Sequence, residues 1–380
     1  MGAVFVAFVV IGMAMPVLPL HVHQGLGFGT FVVGLVAGGQ FAAAILSRVW
    51  AGRQSDTRGP KLAMVAGLAI AAASGGLYLL SLTALGQPAF SATILLVGRL
   101  LLGVGESFII IGGQSWALAI LTLRNTSKAI GLVGSAMFAA FAIGAPIGSA
   151  LYARFGFAGL AVTTAVLPLL TLACVVPLKG VAPIRRPQAG FMKVMGSVWV
   201  PGFAAALSSI GFGAITAFSA LLFVARGWAA WPAFTVFAAV FILARLFLAH
   251  LADRLPAPRV ALLSVLVEAV GLALLAVSPS LAAALAGAAL TGFGYSLVYP
   301  ALGVEAVRSV PPQNRGLAMG AYTAFLDVAL GFGTPVLGFL AERVGLGSAF
   351  VASALAALGT AVIAGFLLNK SRLREQRLPT

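Results

Sequence analysis

Arg99, Glu106 and Asp327 are ionisable residues that lie inside long apolar segments of the chain. In a helix, Arg99, Gly103 and Glu106 stand at positions i, i+4 and i+7, which share one face. A rise of ~1.5 Å per residue separates the arginine from the carboxyl group by roughly 10 Å along the axis. Since burying an unpaired charge costs several kcal/mol, this spacing predicts water, a substrate or a polar group of another helix between the two.

Proton binding and release is the chemistry that suits carboxyl groups in such segments, because ionisable residues inside a bilayer usually serve a function. We predict a proton-coupling role for Glu106, Arg99 and Asp327. For Glu106 the alternative is a static ion pair between helices. For Asp327 the alternative is a packing aspartate with hydrogen bonds to hydroxyl groups. Three tyrosines offer such groups: Tyr295, Tyr299 and Tyr322.

Other polar residues in the apolar segments are candidates for the wall of a substrate cavity, although single polar residues often only bridge helices. The predicted cavity residues are Gln40, Ser107, Gln114, Tyr295, Tyr299 and Tyr322. Glu268 is expected to make a structural contact with backbone groups or with Arg245. Arg48 and Arg245 lie near the predicted ends of their segments, where long basic side chains reach the aqueous interface.

Membrane spans must position these side chains, because 61% of the 380 residues are hydrophobic and only 8% are charged. Such a chain has too few polar residues to cover soluble domains of ordinary size, so the predicted class is an all-α integral membrane protein. Windows of about 20 apolar residues predict twelve spans, near 3–22, 29–52, 61–82, 92–115, 128–151, 157–178, 198–225, 232–252, 259–278, 281–304, 316–340 and 346–368. Cys174 is the single cysteine and the three histidines are scattered, so neither a metal site nor a cofactor is expected.

The basic residues indicate how the spans are oriented. Most of the 23 lysines and arginines fall on one side of the predicted spans, whereas Arg154, Arg226 and Arg343 fall on the other. The positive-inside rule assigns the basic side, and with it both termini, to the cytoplasm. The net charge of +15 follows from this orientation and from contact with anionic lipid, so no nucleic-acid partner is predicted. No basic leader precedes Ala3, which suggests a truncated start or a short first helix.

The two halves of the sequence repeat one another. A shift of 189 residues aligns Gly103 with Gly292 and Pro146 with Pro335. In the earlier part of each half the shift is 197, and it aligns Arg48 with Arg245. We predict a six-helix bundle at 1–178, a cytoplasmic linker at 179–197, a second bundle at 198–368 and a basic tail at 369–380. The repeat loses its symmetry at three ionisable positions: Arg99 aligns with Ala288, Glu106 with Tyr295 and Asp327 with Phe138. A charge kept in one half points to mechanism rather than to scaffold.

A charged motif joins the second and third predicted spans. The ten residues that end at Lys61 have the spacing Gly-x-x-x-Asp-x-x-Gly-x-Lys, and Gly59 suits a tight turn because glycine tolerates positive φ. This motif resembles the signature loop of the major facilitator superfamily, which the chain resembles from end to end. The resemblance implies twelve transmembrane helices in two pseudo-symmetric six-helix bundles, with a cytoplasmic latch that favours the outward-open state. The latch and its degraded second copy comprise Gly52, Asp56, Arg58, Gly59, Lys61, Asp253 and Arg254.

Further motifs refine the resemblance. Arg99 with Gly103 is similar to an Arg-x-x-x-Gly pattern on the fourth helix of proton-coupled members, and segments 15–20 and 98–107 resemble the bacterial YfcJ/YhhS-like branch. In the fifth span, a glycine-proline pattern approximates that of exporters in the superfamily. The alternative is that these residues only allow helices to pack closely and bend. They are Gly134, Gly144, Pro146 and Gly148.

The predicted function is that of a secondary active transporter that works by alternating access and expels a small organic compound in a proton-coupled process. Proton-coupled uptake of a sugar or an organic acid is one alternative, and a non-transporting membrane enzyme or receptor on the same fold is another. No Gly-x-x-x-x-Gly-Lys loop supports transport driven by ATP, and no enzymatic activity is predicted. The expected partners are a small-molecule substrate, protons and the lipid of a bacterial cytoplasmic (inner) membrane, and the expected state is a monomer.

Overall fold

The computed structural model describes residues 2–120, 126–181, 191–248, 255–308, 310 and 315–375, and within these ranges the chain is almost entirely helical and contains no strand. A π-helical turn, His21–Gly25, continues the first helix. The described α-helices are α1 Gly2–Leu20, α2 Thr30–Arg58, α3 Pro60–Leu82, α4 Pro88–Ile120, α5 Thr126–Val175, α6 Phe191–Ala225, α7 Pro232–Leu248, α8 Ala257–Val277, α9 Leu281–Arg308, α10 Arg315–Val344 and α11 Leu346–Glu375.

Ten helical segments of the described ranges are long and apolar enough to cross a membrane, and α7 is a shorter apolar helix. The helix α5 has 50 residues, and Gly156 interrupts it with φ 61° and ψ −159°. The chain bends there into two helical stretches, 126–155 and 157–175. At the repeat-related position, Gly345 has φ 105° and separates α10 from α11. The all-α membrane fold is confirmed, while the count of twelve spans stays a prediction.

The charged motif after the second span is mostly helix rather than a ten-residue turn. The helix α2 continues through Gly52 and Asp56 to Arg58, and α3 begins at Pro60. Only Gly59, with φ 95°, leaves the helical conformation, and proline suits the first helical position because its missing N–H needs no partner there. The predicted spans left residues 53–60 as a connection. This connection was too long because charged side chains at a membrane boundary can be solvated without breaking a helix.

Close helix contacts follow the sequence repeat. A Cβ atom on Gly103 of α4 would overlap the backbone of Gln40 in α2. At the related position of the second half, a Cβ atom on Gly292 of α9 would overlap the backbone of Phe237 in α7. The offsets between these residues are 189 and 197, the same two shifts that align the sequence. Helices α1–α5 and α6–α11 therefore form two pseudo-symmetric bundles.

The two bundles meet along α2 with α10, along α5 with α7, and along α1 with α6. The first of these contacts is tight because glycines face the partner backbone. A Cβ atom on Gly34 would lie 2.5 Å from the carbonyl oxygen of Thr334, and one on Gly338 would overlap the backbone of Thr30. The Thr30 hydroxyl donates to the carbonyl of Gly338 at 2.8 Å. The backbones of α2 and α10 thus touch across the two halves of the molecule.

The predicted boundaries of the bundles differ from the helix ends at two places. The helix α6 begins at Phe191, inside the predicted linker, and α11 continues beyond 368 to Glu375. Hydropathy windows stop at the first charged residues, whereas a helix can extend past the membrane edge. Residues 182–190 lie outside the described residues, so the division into two bundles with a linker stays a prediction in its boundaries.

The glycine contacts generate a stability prediction. Gly103→Ala and Gly292→Ala are each expected to lower the midpoint of thermal unfolding of the detergent-solubilised protein, because overpacking costs about 1–3 kcal/mol. Gly76→Ala in α3 is the matched control, since a Cβ atom at Gly76 meets nothing within 4 Å. Tryptophan fluorescence during heating measures the midpoints. Equal midpoints for all three variants would show that the close helix approach is not required.

Candidate functional site

A buried ion pair joins the two halves of the protein. The Arg48 guanidinium in α2 donates through Nη2 to Oδ1 of Asp327 in α10 at 2.9 Å, and its Nε lies 2.5 Å from Oδ2. The contact of Nη2 with Oδ1 is an aligned hydrogen bond, and the contact of Nε with Oδ2 is an ion-pair contact. The Asp327 side chain is 5% exposed and that of Arg48 is 21% exposed. The pair therefore lies in the interface where little water screens it.

One prediction about these residues is wrong. Arg48 was expected to reach the aqueous interface from the end of its segment, but α2 continues to Arg58, so Arg48 lies well inside the helix. Hydrogen bonds to tyrosine hydroxyls were the alternative for Asp327, and the partner found is Arg48. The close approach of α2 and α10 at their glycines brings the two charges together.

The three candidate tyrosines of the C-terminal half use their hydroxyl groups on other partners. The Tyr299 hydroxyl pairs with Thr323 Oγ1 at 2.8 Å, and the Tyr322 hydroxyl donates to the carbonyl of Tyr299, also at 2.8 Å. The Tyr295 hydroxyl lies 3.1 Å from Ser209 Oγ. These bonds connect α6, α9 and α10 inside the C-terminal half, and Tyr299 remains within Coulombic range of Asp327.

Glu106 is buried in α4 and takes a hydrogen bond from the Gln40 amide in α2. The absence of a side chain at Gly103 allows this contact, since its missing Cβ leaves room for the Gln40 backbone. Oε1 of Gln40 is enclosed and has no hydrogen-bond partner among the described residues. Glu106 also lies within Coulombic range of Arg48 and Asp327. The carboxyl groups of Glu106 and Asp327 are both buried, and both interact electrostatically with the Arg48 guanidinium.

Arg99 lies on the same face of α4 but does not pair with Glu106. Its Nε donates a long bond, 3.4 Å, to the carbonyl of Val36 in α2. Its Nη1 is enclosed and has no hydrogen-bond partner in the part of the chain that the structure describes. Arg99 is within Coulombic range of Glu106. Arg99 and Glu106 are therefore separate charges on one face of α4. Within the described ranges, Glu106 takes part in no ion pair with another helix, which was its predicted alternative.

Two other predicted cavity residues, Ser107 and Gln114, lie on α4. Ser107 in α4 pairs with Ser47 in α2 at 3.0 Å, so it bridges the same two helices as Gln40 and Glu106. Gln114 lies further along α4 and is half-buried. Of the predicted cavity residues in α4, only Ser107 lies beside the buried carboxyl group.

Glu268 belongs to a separate polar contact in the C-terminal half. It is fully buried in α8, and its Oε2 accepts a hydrogen bond from the Ser208 hydroxyl of α6 at 2.6 Å. Arg245 was one of the two alternatives for its contact, but the Arg245 guanidinium lies over the ring of Phe241, 5.8 Å from its centre. Helix α8 has no described close packing on the N-terminal half. Glu268 therefore ties α8 to α6 within one half.

An aromatic cluster that was not predicted from the sequence lies where α5 meets the C-terminal half. Phe138 of α5 stacks on Phe241 of α7 with ring centres 3.6 Å apart. Phe141 faces Phe212 of α6 at 6.5 Å, and Phe212 stacks on Tyr295 at 5.6 Å. The repeat alignment marks two of these aromatic positions, because Phe138 aligns with Asp327 and Tyr295 aligns with Glu106. At each of these two pairs of related positions, one half carries an acidic residue and the other carries an aromatic ring.

The loop and packing motifs make contacts of their own. Lys61 Nζ donates to the carbonyl of Val176 at 2.7 Å, which ties the start of α3 to the end of α5. Cβ atoms on Gly144 and Gly148 would overlap the backbone of α1, so this part of the exporter-like pattern packs helices, and Pro146 lies within the same helix. Three predicted positions, Asp253, Arg254 and the surroundings of Gly134, lie outside the described residues.

Comparison with known proteins gives the family. Residues 1–232 and 203–379 match the sequence profile described as Major Facilitator Superfamily. An uncharacterized MFS-type transporter of Salmonella typhimurium is 42% identical over 364 residues, which cover 95% of this chain and 94% of that protein. Another, of Pseudomonas aeruginosa, is 42% identical over 369 residues, which cover 97% of this chain and 92% of that protein. The chain belongs to the major facilitator superfamily.

Solved structures share the major facilitator fold at low sequence identity. The nucleoside transporter NupG superposes with a TM-score of 0.76 at 14% identity, over 95% of this chain and 97% of that chain. The human organic anion transporter MFSD10 gives 0.68 at 16% identity, with the same coverage. The E. coli fucose:proton symporter FucP gives 0.65 at 15% identity over 96% of both chains. The fold predicted from sequence resemblance is thereby confirmed.

The ion pair generates a prediction about energetic coupling. Arg48→Gln and Asp327→Asn each leave one buried partner alone, at a cost of about 3–5 kcal/mol. The double variant removes both charges, so its thermal midpoint should lie above the value expected from adding the two single effects. Arg308→Gln with Glu305→Gln is the control. Arg308 is 65% exposed, so this pair at 3.0 Å within one helix contributes at most about 1 kcal/mol. Additive effects of Arg48→Gln and Asp327→Asn would contradict the pairing.

Proposed function

We propose that this major facilitator protein is a secondary active transporter that expels a small organic compound in exchange for protons by alternating access. Family membership supports a transporter. The observation that carries the finer proposal is the buried ion pair between Arg48 of one half and Asp327 of the other. Transport by this mechanism requires the halves to move relative to one another, and this pair lies across the surface that must rearrange.

Proton binding to Asp327 changes the strength of that link. A neutral carboxyl group no longer attracts the Arg48 guanidinium as an ion, and the arginine charge is then left in an interface that excludes most water. An arrangement that separates α2 from α10 and hydrates Arg48 becomes favourable. Protonation of one carboxyl group therefore shifts the equilibrium between arrangements of the two halves.

Glu106 is proposed as the second proton-binding group. It is buried at the α2–α4 contact and its neighbour Gln40 can donate a hydrogen bond to either the ionised or the neutral carboxyl group. Because Glu106 and Asp327 lie within Coulombic range of each other and of Arg48, a proton on one changes the electrostatic energy of the other. Arg99 contributes positive charge on the same face of α4. This coupling supports proton exchange through a shared polar centre.

The substrate is proposed to bind between this polar centre and the aromatic cluster formed by Phe138, Phe141, Phe212, Phe241 and Tyr295. Rings on one side and ionisable groups on the other suit a compound with an apolar body and a polar group. Export is proposed over uptake on the exporter-like sequence pattern around Pro146. Uptake of a sugar or an organic acid by proton symport is the competing direction.

The remaining proposals concern the setting of the protein. We propose a bacterial cytoplasmic (inner) membrane with both termini in the cytoplasm, supported by the asymmetric distribution of basic residues. The junction at Gly59, where α2 and α3 meet, is then cytoplasmic and acts as a gating loop together with Lys61. The working unit is proposed to be a monomer, since each chain carries both halves.

Proteoliposomes test the proton coupling. Substrates are first found by counterflow of labelled organic compounds, and the accumulation driven by an imposed pH gradient is then measured. Glu106→Gln and Asp327→Asn should each reduce gradient-driven accumulation at least about tenfold while counterflow persists, because exchange needs no net proton movement. Glu305→Gln replaces a carboxylate that pairs with an exposed arginine, Arg308, within one helix, and should behave like the wild type.

Three outcomes would overturn parts of this proposal. No counterflow of any compound would contradict a carrier. Gradient-driven accumulation at the wild-type rate in Glu106→Gln and Asp327→Asn would contradict proton coupling through these residues. Proton uptake on the same side as the substrate, recorded with an entrapped pH-sensitive dye, would contradict exchange and establish symport instead.

A further inference from the structure

The repeat relates two arginines that have different surroundings. Arg48 of α2 and Arg245 of α7 are 197 residues apart, the shift that also relates Gln40 to Phe237 at the neighbouring glycine contacts. Arg48 of α2 pairs with the Asp327 carboxylate of α10. The helix related to α10 is α5, which packs on α7.

Opposite Arg245, a ring takes the place of the carboxylate. Phe138 of α5 aligns with Asp327 of α10, and it stacks on Phe241, one helical turn from Arg245. The described ion pairs are those of Arg48 with Asp327 and of Arg308 with Glu305. Among the described residues, Arg245 therefore has no carboxylate partner.

The contact that Arg245 does make leaves its hydrogen-bond donors available. Its guanidinium lies over the Phe241 ring at 5.8 Å and is partly buried. A stacked guanidinium keeps its N–H groups in its own plane, where they can bind a carboxylate or similar anion at the same time. The phenol groups of Tyr295 and Tyr299 lie within electrostatic range and carry no negative charge at neutral pH. Nothing described around Arg245 neutralises it.

We propose that Arg245 binds the anionic group of the transported compound, in the place at α7 that corresponds to that of Asp327 at α2. This assignment rests on the proposed transport function and names its substrate class. The compound is an organic anion, and its flat apolar or aromatic body lies against Phe138 and Phe241. The substrate thus supplies the missing carboxylate between α5 and α7 and links the halves on the side opposite to the Arg48–Asp327 pair.

Several features favour this class over neutral or cationic compounds. Among the described residues, the buried acidic groups of the spans each have a side-chain partner: Asp327 has Arg48, Glu106 has Gln40 and Glu268 has Ser208. Arg245 has no carboxylate partner among these residues. Asp327 is already paired and Glu106 is hydrogen-bonded, so neither is left to hold a cation. Arginine recognises planar oxyanions with paired hydrogen bonds, and aromatic rings stack on flat apolar groups.

Three probes of similar shape test the class of ligand: benzenesulfonate, benzenesulfonamide and phenyltrimethylammonium. Each is titrated against the purified full-length protein, and affinity is obtained from the rise of the thermal midpoint with concentration. We expect benzenesulfonate to stabilise the protein, and the neutral and cationic probes to do so at least about tenfold more weakly, since hydrogen bonds to charged groups are lost. The same order is expected in counterflow.

Substitutions test the assignment to Arg245. Arg245→Gln should weaken benzenesulfonate binding at least about tenfold. Arg343→Gln is the matched control, because Arg343 also lies over a ring, Phe339, at 5.0 Å, but is exposed at the end of α10. This control should bind the probe like the wild type.

A second pair of variants tests whether a carboxylate at position 138 competes with the ligand. Phe138→Asp places a carboxylate opposite Arg245, as Asp327 lies opposite Arg48, and should abolish benzenesulfonate binding by occupying the anion position. Phe138→Asn removes the same ring without adding charge and should retain part of the binding. This comparison stays informative even where Arg245→Gln fails to fold.

The assignment has clear contrary results. It is overturned by equal stabilisation from all three probes, by no stabilisation from benzenesulfonate, or by benzenesulfonate binding that survives in Arg245→Gln and Phe138→Asp. Counterflow of the neutral or cationic probe without exchange of the anion would refute the substrate class but leave the carrier function intact. Failure of counterflow with every compound would instead refute the carrier function.

Discussion

A charge held away from water needs a partner, and this constraint governs the centre of the molecule. Arg48 and Asp327 satisfy each other across the two halves at 2.5 to 2.9 Å. The interaction stabilises one arrangement of the halves only while both residues are charged. A single proton can therefore change how two large bundles pack, and this is the simplest physical link between a proton gradient and a change of access.

The scaffold that holds this pair is symmetric, while its chemistry is not. Glycines related by the repeat bring helices into backbone contact in both halves, as at Gly103 and Gly292. Near these glycines, Gln40 hydrogen-bonds Glu106 in the first half. At the related positions of the second half, the ring centres of Phe237 and Tyr295 lie 6.3 Å apart. Duplication supplied two equivalent interfaces, and replacement of charges by rings made one polar and the other aromatic.

The fold and the buried charges could be predicted from the sequence, but their pairing could not. Hydropathy, the glycine repeat and the unmatched charges at Glu106 and Asp327 are local signals. Hydropathy windows ended the second span before Arg58, so Arg48 was taken for an interfacial residue although α2 continues. The ion pair depends on which helices of different halves touch and at what depth. The stacking of Phe138 was missed because apolar rings look alike whether they face lipid or each other.

The central claim is that the Arg48–Asp327 pair sets the balance between two arrangements of the halves. Pulsed electron resonance measures it most directly, on the Cys174→Ser background with spin-label pairs at each end of the bundle: Gly86 with Ser280, and Lys179 with Lys370, all exposed. We expect Asp327→Asn to lengthen the distance at one end and shorten it at the other, relative to the otherwise unchanged protein. Distance distributions that stay the same in Asp327→Asn, or that lengthen at both ends together, would contradict the claim.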